Sequence, residues 1–159
     1  MKRFFSTIVF AASFAVLTHA QTTYREWFDQ AERDMQAGKY TTAISAYTKA
    51  IQMSPANSEA FMQRAIAKAK NGDDEGASID FTNVIRQQPN NAKAYSLRSD
   101  TKSRRGDFQA ALFDVNQALK ISANEIVYLE QRSKISEKMG LSAQAQADID
   151  EIKRFIFVN

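Results

Sequence analysis

Apolar side chains recur at i, i+4, i+7 and i+8 along much of this chain, as in Ala43, Tyr47, Ala50 and Ile51, and again in Ala111, Val115, Ala118 and Leu119. That is the period of an amphipathic helix and not the alternation of a strand. A different stripe precedes each of these. Trp27 is followed four residues later by Ala31, Phe61 by Ala65, Tyr95 by Ser99 and Leu129 by Ser133. Four residues put both side chains on one helix face, so each bulky group has a small neighbour one turn along, where a facing helix can approach closely. The pattern therefore predicts pairs of helices. Within each pair the break falls at a glycine, and Pro55 and Pro89 mark the exit from the second helix, where a fixed φ and a missing N–H are tolerated.

The pairs repeat. Gly38, Gly72, Gly106 and Gly140 stand 34 residues apart, and Ala43, Ala77, Ala111 and Ala145 follow them by five. A fixed period of this length means an array of similar units. These units resemble tetratricopeptide repeats, with boundaries at 24–57, 58–91, 92–125 and 126–159 after a leader over residues 1–20. The resemblance implies an all-α fold, a right-handed α-solenoid of about four helical hairpins. It weakens along the chain, with Ala123 where a proline belongs and Leu141-Ser142 where the third unit has Asp107-Phe108.

Two charged series share the period. Arg64, Arg98 and Arg132 lie eight residues before a glycine, and Asp80, Asp114 and Asp148 eight after. The first unit has Gln30 and Ala46 there and lacks both charges together. We expect arginine and aspartate to pair within each unit, Arg64 with Asp80, Arg98 with Asp114 and Arg132 with Asp148. Asp73-Asp74-Glu75 directly follows Gly72, so its charges suit the N-terminus of a second helix better than a cation site.

The leader has Lys2 and Arg3, an uncharged apolar stretch from Phe4 to Leu17, and Thr18-His19-Ala20 as a cleavage site. This is the form of a secretory signal peptide. Its apolar stretch is shorter than the ~20 residues a spanning helix needs. We expect export to a periplasmic or extracellular location, most simply a Gram-negative envelope, with no stable membrane span after cleavage. Without Lys2 and Arg3 the chain has 19 Lys and Arg against 18 Asp and Glu, so electrostatic binding of nucleic acid has no support. The one histidine is His19, and there is no cysteine. The mature protein would therefore lack an imidazole base, a thiol nucleophile, the common zinc ligand sets and disulfides. We expect no catalytic, cofactor or metal site, and a protein that is not an enzyme.

The resemblance implies a concave groove lined by the first helices, holding a protein or peptide partner. Groove candidates are Phe28, Met35, Met62 and Ile66 for apolar contact, and Lys93, Asp100 and Arg104 for charge. Lys70, Arg104 and Lys138 would form a cationic edge. Some repeat domains of this family clamp a chaperone's C-terminal carboxylate with lysines and asparagines. The corresponding positions here are Phe28, Glu32, Gln63, Lys93 and Leu97, of which only Lys93 fits, so that activity is not carried over. The chain ends on an apolar tail, Phe155, Ile156, Phe157 and Val158, with no further polar helix to cap the last unit. We expect the tail to fold back over that unit; a homodimer assembled through it is the alternative. Thr23 and Glu26 have the spacing of a capping box at the start of the first helix.

Overall fold

At each glycine of the 34-residue series the backbone is left-handed, with φ between 70° and 85°, a region that costs a side chain with Cβ but not glycine. The turn it makes is the same four times. The N–H after the glycine returns to the carbonyl five residues back: Lys39 to Asp34, Asp73 to Lys68, Asp107 to Lys102 and Leu141 to Ser136, at 2.8–2.9 Å. This ends a first helix and satisfies one of its free carbonyls. The second helix then starts within one or two residues.

The computed structural model describes residues 23–123 and 125–158, without the Val158 side chain. Among them are eight helices: α1 (23–36), α2 (Tyr40–Met53), α3 (Ser58–Lys70), α4 (Asp74–Gln87), α5 (Ala92–Arg104), α6 (Phe108–Ile121), α7 (Ile126–Lys138) and α8 (Ser142–Val158). No strand occurs among the described residues. Neighbours in sequence pack on one another from α2 to α8, giving a row of hairpins. The expected leader lies outside the described residues. Helix α1 already includes Thr23, so Thr23 is not its cap.

Between hairpins the chain turns at Ser54-Pro55-Ala56-Asn57 and Gln88-Pro89-Asn90-Asn91, closed by Asn57 N–H to Ser54 O and Asn91 N–H to Gln88 O, both 3.1 Å. Proline occupies the second turn position, for which its φ is preset. The last turn residue then caps the next helix: Asn57 Oδ1 accepts from the N–H groups of Glu59 and Ala60, and Asn91 Oδ1 from Ala94. At the third junction Glu125 makes no such bond. The acidic run after Gly72 sits at the start of α4, where Asp73 Oδ1 accepts from Gly76 N–H at 2.9 Å.

The core is a series of small clusters, one per junction. Met62, Ala65, Ala77, Phe81, Val84 and Ala94 are buried together across α3, α4 and α5. Ala31, Ala43, Ala46, Tyr47 and Ala67 form a cluster across α1, α2 and α3. The alanines after each glycine are buried in all four hairpins, which lets paired helices approach closely. Burying a side chain such as Phe81 contributes roughly 1.5–3 kcal/mol. Where the small partner is serine it also bonds, Ser99 Oγ donating to Ala111 O at 2.8 Å and Ser133 Oγ to Ala145 O at 3.3 Å.

The arginine and aspartate series pair as expected. Asp80, Asp114 and Asp148 are buried, and each accepts two donors from its arginine, with Nη2 at 2.7, 2.7 and 2.6 Å. The third nitrogen of each guanidinium reaches further than expected. Nη1 donates to the preceding hairpin, to Thr48, Thr82 and Asn116 at 2.9–3.0 Å, again 34 residues apart. The arginine thus joins two units, and the first hairpin described, with Gln30 and Ala46, lacks this network. Lys68 and Lys102 give their aspartates a second cation at 2.8 and 2.7 Å. In the fourth hairpin Ser136 replaces that lysine, its Oγ buried without a partner, and Gln144 Nε2 donates to Asp148 at 3.1 Å instead.

Candidate protein-binding groove

Curvature of the array follows from which helices touch. Helices α5 and α7, the first members of adjacent hairpins, contact one another directly. Ser96 Oγ donates to Gln131 Oε1 at 2.8 Å, and Gln131 Nε2 returns a bond to Ser96 O at 2.9 Å. First helices in mutual contact lie on the inner side, so the inner face is the candidate groove.

The structure places the expected groove residues in three different situations. Met62 is buried within the α3–α5 cluster, so it is core and offers no surface; its position between hairpins is the reason. Phe28, Met35 and Ile66 are half-buried, each packed by one side against a core cluster, with the other side left open. Lys93, Asp100 and Arg104 are exposed on α5. Arg104 is nevertheless occupied, since its Nε donates to Asp74 on α4 at 3.0 Å and its Nη1 pairs with Asp100. The bond to Asp74 holds the Arg104 guanidinium even more firmly protonated than usual.

The cationic edge is likewise engaged. Lys70 lies over the Tyr40 ring and Lys138 over the Phe108 ring, 5.8 and 5.5 Å from the centroids. Tyr40, Asp74 and Phe108 are the opening residues of α2, α4 and α6, so each cation clips its first helix to the preceding second helix. An aromatic face and a carboxylate do the same work here.

At the N-terminal end of the inner face a group of rings was not anticipated as a unit. Tyr24 and Phe28 lie with centroids 5.7 Å apart, and Phe28 meets Tyr47 edge-on at 5.5 Å. The Tyr47 hydroxyl donates to Glu32. Burial, the bond to Glu32 and the charge of Glu59 push the Tyr47 phenol far above its ordinary value. Tyr24 is raised as well, by burial first and then by Glu59. The signal in sequence was the four-residue spacing of Tyr24, Phe28 and Glu32; only Tyr47, from the second helix, completes the group.

The tail does not fold back. Phe155, Ile156 and Phe157 continue α8, Ile156 at 58 % and Phe157 at 82 % exposure, because the helix runs on past the hairpin instead of turning. A further concavity lies on another face, at the start of α8, and its polar lining Arg132 and Asn116 is bonded together. Among the described residues no group of three His, Cys, Asp or Glu could hold a metal ion, and no helix is long and apolar enough to cross a membrane.

Comparison with known proteins supports this architecture. Residues 34–101 match the sequence model of the tetratricopeptide repeat family. A search of the curated proteins gives no match. Among solved structures, the crystal structure of MamA superposes with a TM-score of 0.80 at 16 % identity, covering 88 % of this chain and 82 % of that one. The first repeat domain of Spaghetti (RPAP3), bound to the HSP90 peptide SRMEEVD, gives 0.71 at 23 %, covering 75 % and 94 %. The second repeat domain of human RPAP3, in complex with the HSP70 peptide SGPTIEEVD, gives 0.70 at 26 %, covering 74 % and 98 %. With its glycine turns, stacked hairpins and these likenesses together, the chain has the fold of a tetratricopeptide repeat solenoid.

Proposed function

We propose that this protein is an exported adaptor that holds a peptide or a partner helix against the inner face of its first helices. The observation that carries this reading is the inner face itself, where Phe28, Met35 and Ile66 each keep one side open, beside the unpaired charges of Glu32, Glu59 and Lys93. Rigid helices that present adaptable apolar groups next to fixed charge suit an extended or helical segment. Peptide-bound neighbours of the same fold support the reading. The particular peptides in those structures do not transfer, since Glu32 stands where a clamp for a carboxylate would need a cation. Export is supported by the leader's sequence, residues 2–20.

A photo-crosslinking residue placed at Gln63, on the inner face, is expected to capture a partner in cells, while one at Gln117 on α6 captures none. Equal capture at both positions, or at neither, overturns the groove. Amino-terminal sequencing of the purified protein checks export, with Gln21 expected as the first residue.

Assembly through the tail is the second reading, favoured by the exposure of Ile156 and Phe157.

A further inference from the structure

We propose that the N-terminal end of the inner face receives a lysine or arginine side chain of the partner, set beside the Tyr24 and Phe28 rings and facing the carboxylates of Glu32 and Glu59. This rests on the groove reading above and names the chemistry of what the groove selects.

Two observations on adjacent first helices meet here. Tyr24 and Phe28 on α1 are half-exposed and in ring contact, backed by the buried Tyr47. Glu32 on α1 is fixed at the edge of that group by the Tyr47 hydroxyl, and Glu59 opens α3 near enough for its charge to act on both tyrosines. Aromatic faces and carboxylates attract the same ligand, a cation, by different forces that add.

The carboxylates have no cation of their own. Neither Glu32 nor Glu59 is in an ion pair among the described residues, although the first two hairpins are rich in lysine and arginine. Those cations are occupied elsewhere: Arg64 and Lys68 on Asp80, Lys49 over Trp27, Lys70 over Tyr40, and Arg33 on Gln30. Arg25 lies 3.9 Å from Asp29 and offsets that carboxylate. One repeat further on, the position of Glu59 is Lys93, so the anionic character is confined to the first two hairpins. Charge complementarity therefore selects a cationic residue at this end, and an acidic terminus such as EEVD is disfavoured.

The test is selection from a random dodecapeptide library on protein purified from cells expressing the full sequence. Enriched peptides are expected to carry lysine or arginine beside an apolar residue. Their affinity should fall about ten-fold or more on Glu59→Lys, and on raising salt from about 0.05 to about 0.5 M. Glu32→Gln, which keeps an acceptor for Tyr47, should weaken binding less, and thermal melts of each variant confirm folding. Enrichment of uncharged or acidic peptides that still depend on Phe28 overturns the cation site and leaves the groove standing. Enrichment that ignores Phe28, Ile66 and Glu59 alike overturns both. A partner segment crosslinked at Gln63 that lacks lysine and arginine also overturns the cation site alone.

Discussion

Asp114 shows how much a single residue carries in this array. Its side chain is fully buried and takes donors from Arg98 and Lys102, and Arg98 in turn reaches Thr82 on the preceding hairpin. Removing one member leaves the others as unpaired buried charge, which costs about 3–5 kcal/mol. Asp114→Ala is expected to lose about that much in chemical denaturation, and a double-mutant cycle with Arg98→Met should give coupling above about 1 kcal/mol. Additive losses would remove the pairing from the account of stability. Tyr47 carries a pH dependence. Its phenol is raised in the folded state, so the unfolded chain releases this proton first, and the stabilisation is complete below about pH 10 and declines above it. The decline approaches about 1.4 kcal/mol per pH unit. Tyr47→Phe should therefore flatten the alkaline fall of the melting temperature while lowering its neutral value; identical alkaline slopes would contradict this.

At the scale of elements, the three junctions between hairpins form a graded series. Ser54 and Gln88 precede prolines at φ −139° and −133°, ψ 76° and 78°. Ser122 has the same backbone, φ −136° and ψ 84°, and precedes Ala123. This conformation is the one a residue before proline prefers. Ala123→Pro is expected to stabilise by about 0.4–1 kcal/mol through the unfolded chain. A lower melting temperature would show that the third turn differs from the first two. The same series explains which parts of the fold were legible. Glycine turns, proline exits and the arginine–aspartate register all depend on short-range spacing that repeats, so four copies of one local problem reinforce one another. The cations of the expected edge were visible as a series too. What they meet, Tyr40, Asp74 and Phe108, lies 30 residues away on another helix, and no local pattern reveals it.

On the scale of the whole molecule, the two ends of the array differ. Ile149 and Ile152 on α8 stand where α4 has Phe81 and Val84, which are buried between hairpins, yet both are only half-buried. With Ile156 and Phe157 they leave an apolar strip along the last helix. Light scattering after size exclusion, on the protein and on a version truncated after Arg154, separates the two readings of this strip. The adaptor reading predicts a monomer in both, with a lower melting temperature after truncation. A dimer that Phe157→Asp or truncation separates would move assembly through the tail ahead of it.

Sequence by itself determined the period, the helical hairpins, the turns and the pairing of Arg64, Arg98 and Arg132 with their aspartates, because each depends on residues no more than 16 apart within one repeating unit. Tertiary structure decided which apolar residues of the first helices face out. Met62 and Phe28 occupy the same place in their repeats, but Met62 lies inside the stack and Phe28 near its end, so one is core and the other remains half-open. It also decided which charges are available, since Arg104 is taken by Asp74 from a neighbouring hairpin while Glu32 and Glu59 keep no cation. Stacking brings units together that spacing alone treats as equivalent, and equivalence ends where a neighbour is missing or different.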